Sequence, residues 1–523
     1  MSGAHRSRDS ADHDGDGDRD AIAPLSRDQA AALARALTDL VGTARTALLG
    51  DGDGSAALRA IRDHLGMPHD EAVRVSVDVP VWQHVSVHRG VEEHRRQVSP
   101  DADWFGLSAS AGMHRQHMEL PGLLEQDAAR GAERLSRPDF VTAATGPHST
   151  QEVVAFGLLC TTAPGGAPAV LALRLTQVHG PMQVTLEVMC GERPDAVALL
   201  DRLTELTEQH DIIRGQVVTF GVNEHMGNEL VSFLPRPGLA PDAVILPDGV
   251  LQTIEQHVVG PAERAQRLRD VGMHLKRGLL LHGPPGTGKT HTVRYLMGRL
   301  RSATVIVLSG MSLRFIEQAA AMARRLAPTV VVIEDVDLVA TDRSFSPTGN
   351  PLLFSLLDAM DGVAADADVT FVLTTNRAAD LEAALTQRPG RVDLAVEIPR
   401  PDAPARRRLF ELYRGRAQLS TDLDRAVAVT EGSTASAIKE LMRRAVLAAL
   451  QGDPNADPVV VDGDVLGAVL ADYTSERAAL SRSLLGAAGD DGPDPAGPAT
   501  GSPARPGVAP TAHSGWTAYR PRR

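Results

Sequence analysis

The residues Gly283-Pro284-Pro285-Gly286-Thr287-Gly288-Lys289-Thr290 carry the spacing G-x-x-x-x-G-K-T, and His291 follows them. Glycines at those positions let the backbone curl round an anion with its N–H groups turned inward, which suits a di- or triphosphate. Lys289 would reach the β- and γ-phosphates, and the Thr290 hydroxyl would ligate Mg2+. An acidic cluster, Glu334-Asp335-Val336-Asp337, ends the β-branched run at 329–333. An apolar strand that delivers carboxylates beside such a loop is equipped to hold Mg2+ and to orient an attacking water.

These groups act together only if the surrounding elements place them. Gly278-Leu279-Leu280-Leu281-His282 reads as a short buried strand and 291–300 as a helix, the context that the glycine-rich motif requires. The helix adds the positive end of its dipole. From 248 to 400 short apolar strands alternate with helical stretches, the pattern of a parallel sheet with crossovers. Residues 401–485 read as helices only, with 406–413 and 435–450 among them. Upstream, 25–222 reads as a separate α/β domain. In it, 30–49 is helical, and 152–162 and 169–189 are rich in β-formers, the second split into a hairpin at His179-Gly180-Pro181. A helix over 194–210 carries Leu199, Leu200, Leu203 and Leu206 on one face, and 216–222 is a further strand. The proline-rich stretch 223–247 is expected to be a linker, and the polar tails 1–24 and 486–523 to be disordered. Asp12-x-Asp14-x-Asp16-Gly17 starts like a calcium loop but has Ala23 where the bidentate Glu belongs. His84, His88 and His94 lack Cys or carboxylate company and read as ordinary histidines.

The glycine-rich loop, the acidic strand end and the segments after them together resemble the AAA (AAA+) P-loop ATPases over roughly residues 241–480. The resemblance implies an α/β fold, a P-loop NTPase parallel-sheet core with a C-terminal all-α lid, ATP and Mg2+ as ligands, and ATP hydrolysis. Thr374-Thr375-Asn376, after an apolar strand from Val369, is similar to the family's first sensor, which implies that Asn376 meets the attacking water or the γ-phosphate. Arg388-Pro389-Gly390-Arg391-Val392-Asp393 resembles the family's R-P-G-R-x-D segment. That likeness implies that Arg388 and Arg391 reach the γ-phosphate held by a neighbouring copy, and hence a homo-oligomeric ring, in this family most often a hexamer. The family's usual acidic order is Asp then Glu; Glu334-Asp335 is reversed, as in the Rieske-protein translocase branch. By position Glu334 would then serve the metal and Asp335 the water, with a side chain about 1.5 Å shorter. Gly432-Ser433-Thr434-Ala435 falls at the small-residue lid motif that packs near adenine and ribose. Protein-threading members carry an aromatic–hydrophobic–Gly loop; here the corresponding stretch is short, and its only aromatic, Phe315, suits a core role.

Composition narrows the remaining classes. The chain has 523 residues, 43% hydrophobic but only 3% aromatic, so its core must rest on Ala, Val and Leu. A net charge of −13 gives no general attraction for nucleic acid, which is not expected as a partner. Two cysteines, Cys160 and Cys190, make neither a disulfide framework nor a Cys-based zinc site. No apolar run approaches the ~18–20 residues of a membrane span, and the first residues lack a signal peptide's apolar stretch, so a cytoplasmic protein without a membrane partner is expected. The only lysines are Lys276, Lys289 and Lys439, a skew typical of GC-rich coding, and one of them stands where the phosphate loop needs it. The expectation is an ATP-hydrolysing ring ATPase that remodels a protein client chosen by residues 25–222. The alternative is a nucleotide-dependent switch or scaffold that hydrolyses slowly or not at all.

Overall fold

The computed structural model describes residues 54–108, 116–177, 182–222, 229–337, 351–377 and 391–484, together with Ala36 and Leu40. Both tails, most of the helix read at 30–49, the turn at 179–181 and Arg388 lie outside the described residues.

The N-terminal part runs α1 (Ala56–Leu65), β1 (Val73–Pro80), α2 (His84–Val98), α3 (Leu120–Arg130), β2 (Asp139–Ala144), β3 (Thr150–Thr162), β4 (Pro168–Thr176), β5 (Gln183–Cys190) and α4 (Arg193–Gln209). Its strands form an antiparallel sheet in the order β1-β5-β4-β3-β2. Alternation of side chains sends Leu159, Leu171, Leu173 and Val188 to one face, where α2 and α4 pack with Val87, Val91, Leu199 and Leu203. It sends Leu158, Val170, Ala172 and Met189 to the other, covered by α1 and α3 through Ile61, Leu65, Leu120 and Leu123. The three histidines are structural: His84 Nε2 meets the Val154 carbonyl at 2.7 Å, His94 Nε2 meets Thr161 Oγ1 at 3.1 Å, and His88 stacks on Trp104.

The second part runs β6 (Val217–Val222), β7 (Glu229–Leu234), α5 (Val250–Glu263), α6 (Ala265–Asp270), β8 (Arg277–His282), α7 (Lys289–Arg299), β9 (Thr304–Leu308), α8 (Ile316–Arg325), β10 (Thr329–Ile333), α9 (Pro351–Asp361), β11 (Val369–Thr375), β12 (Leu394–Glu397) and α10 (Ala403–Tyr413). The strands form one sheet in the order β12-β8-β11-β10-β9-β6-β7, parallel except for the β6–β7 hairpin. Both faces are covered, which is why these strands read as continuous apolar runs. Leu280, Ile306, Val331 and Phe371 face α8 and α9, while Leu279, Val305, Val332 and Val372 face α5 and α7. Each fully buried side chain of this size contributes roughly 1.5–3 kcal/mol.

Two boundaries differ from those read in the sequence. The strand at 217–222 does not close the N-terminal domain; it pairs in parallel with β9 of the second sheet, and β7 turns part of the supposed linker into that sheet's edge. Proline-rich flanks and a hairpin without local partners hide such an addition. Phe220 of β6 stacks on Phe315 at 5.6 Å between ring centroids, so Phe315 is a core residue, as expected. The N-terminal part is also joined directly to this sheet. Val85 and Val153 share the core of Ile306 and Phe371, and Arg325 at the end of α8 reaches Asp211 at 2.8 Å and Gln83 at 2.8 Å.

The remaining described residues are divided between two compact units, with 430–443 belonging to the unit described so far and 416–429 with 444–484 forming the other. They hold β13 (Gln418–Ser420), α11 (Asp424–Val429), α12 (Ala435–Gly452), β14 (Val460–Asp462) and α13 (Gly463–Leu484). This region is therefore not helical throughout, because β13 and β14 pair in parallel. No described helix is long and apolar enough to cross a membrane.

Candidate nucleotide-binding site

The site lies at the carboxyl ends of β8, β10 and β11, where parallel sheets present their loops to ligands. The loop after β8 bends through glycines that only glycine can fill. Gly283 has φ 142°, and a Cβ there would stand 2.3 Å from the Ile398 carbonyl oxygen. Gly286 has φ 77° and lies against Thr434 and Ser436 at the start of α12, and the Ser436 N–H donates to the Gly286 carbonyl at 3.1 Å. The Thr287 hydroxyl ties the loop by donating to the Pro284 carbonyl at 2.9 Å. Lys289 and Thr290 open α7, where the helix presents unpaired N–H groups and positive potential. The Lys289 ammonium is buried and donates to the carbonyls of Gly283 at 2.7 Å and Pro284 at 2.9 Å. Burial holds its pKa below the usual lysine range, against the pull of Asp335 and Asp337.

The carboxylates leave β10 in different directions. Glu334 is buried and hydrogen-bonded by the Thr290 side chain; burial pushes its pKa up, and Asp335 adds to that. Asp335 has φ 53°, a left-handed conformation in which Asp and Asn are tolerated best after Gly. The bend is fixed from behind, because the Asp335 N–H donates to Thr374 Oγ1 at 3.0 Å. Asn376 Nδ2 faces Asp335 Oδ1 at 3.4 Å. Burial and the neighbouring Asp337 raise the Asp335 pKa, opposed by Lys289 and Asn376. Asp337 in turn accepts from Thr375 Oγ1 and from the Asn376 N–H, both at 3.1 Å, and so holds the end of β11 in place.

Lys289, Thr290, Asp335 and Asn376 line one cavity of about 420 Å3 with Arg294, Tyr413 and Lys439. A smaller cavity of about 190 Å3, lined by Ile245, Leu246, Pro247, Thr287, Leu409 and Ala435 among others, shares Ala435 with it. A polar chamber of this size next to one walled in part by Ile245, Leu246 and Leu409 suits a phosphorylated ligand with a flat organic part. The oxygen donors Thr290, Glu334 and Asp335 suit a hard cation held jointly with phosphate oxygens, as Mg2+ is. Among the described residues, no cluster of three or more His, Cys, Asp or Glu would hold a metal without such help.

Residues 279–400 match the profile of the ATPase family associated with various cellular activities (AAA). That stretch is an AAA domain. The chain is also 32% identical over 254 residues to a 26S proteasome regulatory subunit 6B homolog of Schizosaccharomyces pombe, covering 43% of this chain and 65% of that protein. It is 30% identical over 220 residues to a 26S proteasome regulatory subunit 4 homolog of Oryza sativa subsp. japonica, covering 39% and 49%. To a 26S protease regulatory subunit 6A of Caenorhabditis elegans it is 27% identical over 250 residues, covering 45% and 57%. The chain thus spans about half to two thirds of the length of these relatives.

Within the AAA domain most residues picked from the sequence converge. Pro285, Gly286, Gly288, Lys289, Thr290, His291, Asp335 and Asn376 line the larger cavity, and Thr287 lines the smaller. Gly283 and Pro284 enter through their carbonyls, and Glu334 stands behind Thr290. The ring of His291 meets the Ala243 carbonyl at 3.0 Å. Arg391 departs from expectation: instead of projecting outward it is buried in a two-point pair with Asp361, at 3.0 and 2.7 Å. Its backbone carbonyl packs on Gly278, where a Cβ would be 1.9 Å away, and Asp393 accepts the Gly278 N–H at 2.9 Å, so this segment braces the start of β8. Arg294, Tyr413, Lys439 and the wall at 245–247 also line the two cavities, and Asp337 braces the end of β11, roles that their places in the sequence do not assign. Asp337 and Lys439 each carried a signal, the first its place in the acidic cluster and the second the scarcity of lysine; the others carried none.

Proposed function

We propose that the chain is a Mg2+-dependent ATPase that acts on proteins. The observation that supports this most is the convergence, in a single cavity of the AAA domain, of Lys289, Thr290, Asp335 and Asn376. The loop N–H groups and Lys289 would bind the β- and γ-phosphates, and Thr290 with Glu334 behind it would hold the metal. A bound Mg2+ would neutralise charge on the phosphate oxygens. Asp335, oriented by Asn376 and by its left-handed backbone, would take the proton of the attacking water. Arg388 and Arg391 would complete the site from a neighbouring copy in a ring, with the N-terminal part choosing the protein client; for Arg391 this requires release from Asp361. The reversed Glu334-Asp335 order and the short segment before α8 are what this chain shares with the Rieske-protein translocase branch.

The pair between Arg391 and Asp361 also favours a second reading, a switch that binds ATP and turns it over slowly. Steady-state phosphate release separates the two. The ATPase reading predicts turnover that saturates with Mg·ATP and disappears in Lys289→Ala. Tight binding with no release above background supports the switch.

A further inference from the structure

We propose that the cavity at the far end of α7 is a second ligand site, built for an organic anion that carries one charged head on an apolar body. The proposal is independent of the nucleotide reading. The cavity measures about 560 Å3, more than the chamber of about 420 Å3 lined by Lys289, and falls in the range of small-molecule sites. Its walls are the strap 238–240, the last residues of α5, and 298–302 at the end of α7. α7 has eleven residues, so this cavity lies about 16 Å along the helix from Lys289.

The walls are fixed before any ligand arrives. Arg236 ties the strap down, donating to the carbonyls of Met297 at 2.6 Å, Leu300 at 3.1 Å, Gly215 at 3.0 Å and Ala303 at 2.8 Å. Val259 and Leu300 belong to the core shared by α5 and α7, and Leu239 and Ala262 pack against it, so the apolar part of the lining is continuous with a close-packed interior. A wall preformed in this way costs little ordering when a ligand binds.

The charges favour an anion. The carbonyl end of a helix ordinarily repels one, but here Arg236 occupies the last carbonyls of α7. Arg299 is held by Glu255 at 3.2 Å and, more loosely, by Glu263 at 3.8 Å. Arg301 is exposed, lines the cavity, and makes no ion pair among the described residues. Three guanidinium groups therefore stand against two carboxylates. Arg301 keeps its N–H donors for a carboxylate, sulfonate or phosphate, and Leu239, Val259, Ala262 and Leu300 take the apolar body attached to it.

The test is fluorescence titration of the full chain with two dyes of similar shape, anilinonaphthalene sulfonate and the uncharged phenylnaphthylamine, with and without Mg·ATP. Wild type, Arg301→Glu and Ala240→Trp are compared; both native side chains are exposed, and urea denaturation checks that each variant is folded. The expected result is saturable binding of about one sulfonate per chain, weakened about tenfold by Arg301→Glu, which leaves the uncharged dye within about twofold. Ala240→Trp, whose indole fills part of the cavity, should lose both dyes. Sulfonate binding that is absent, or unchanged in either variant, overturns the proposal. So does an equal loss of both dyes in Arg301→Glu, or displacement of the sulfonate by Mg·ATP, which would put the dye in the nucleotide chamber. If Ala240→Trp does not fold, Arg301→Glu alone decides. Phosphate release measured on the same wild-type protein reports on the nucleotide reading separately, so either can fail without the other.

Discussion

Replacing Asp335 by Asn separates what the site does for chemistry from what it costs the fold. The ionised carboxylate is penalised twice in the folded chain, by burial and by Asp337, and these outweigh the help from Lys289 and Asn376, so its pKa is raised. A carboxyl group with a raised folded-state pKa binds its proton more tightly folded than unfolded, so at neutral pH its ionisation works against folding. Asn removes that charge. It also tolerates φ 53°, where Ala would cost roughly 1–2 kcal/mol. Asp335→Asn should therefore be as stable as wild type or slightly more so, with Asp335→Ala less stable than Asp335→Asn by about 1 kcal/mol. Loss of a general base typically costs about 10²–10⁴-fold in rate, so phosphate release should fall by at least a hundredfold in both while Mg·ATP still binds. Urea denaturation at pH 7 and a phosphate-release assay measure the two quantities. Phosphate release within tenfold of wild type would show that Asp335 is not the base, and an Asn variant less stable than the Ala variant would show that neither its charge nor its left-handed backbone is strained as described.

Three further perturbations probe the scaffold. His84 is buried neutral, its pKa lowered to about 4 by desolvation, so between pH 6.5 and 4 the unfolded chain takes up a proton that the folded chain refuses. Stability should fall by about 3 kcal/mol across that window as pH drops, and His84→Gln should flatten the slope by close to 1.4 kcal/mol per pH unit in denaturation curves; an unchanged slope contradicts the assignment. Arg325→Met leaves the Asp211 side chain, 1% exposed, without its cation. Because Arg325 is a quarter exposed, the loss should be about 2 kcal/mol rather than the 3–5 of a fully buried pair, and a change below about 0.5 would mean that the pair does not join the N-terminal part to the sheet. Gly283→Ala forces a Cβ against the Ile398 carbonyl and should cost about 2 kcal/mol and at least tenfold in nucleotide affinity, whereas binding at wild-type strength would show that the loop can relax.

How much of this was legible depended on whether the signal was local. The phosphate loop announces itself because Gly283, Gly286 and Gly288 all need left-handed backbone and Lys289 must follow at a fixed offset. The buried strands are legible because a parallel sheet covered on both faces leaves only apolar residues to place, as in the fully buried β10 and β11. The β6–β7 hairpin was not legible as part of that sheet, since nothing within 217–234 indicates that its partner is β9, whose Val305 pairs in parallel with Val217 from 88 residues further along the chain. The pairing of Arg391 was hidden for the same reason: its motif fits a turn aimed at another subunit, and the carboxylate that holds it, Asp361, lies thirty residues upstream in sequence. Lys439 sits in an ordinary amphipathic helix, and only the anchoring of Ser436 on Gly286 turns its face to the cavity.

Whether the 283–290 loop and the Lys289 ammonium neutralise a triphosphate is read most directly from the heat of mixing the purified chain with Mg·ATP, run beside Lys289→Ala. Wild type should bind saturably, near one nucleotide per chain, with binding lost or weakened at least a hundredfold in the variant, in keeping with a charge-assisted contact worth about 3 kcal/mol. Equal heats for the two proteins, or none for wild type, would show that the loop does not hold the nucleotide in this way.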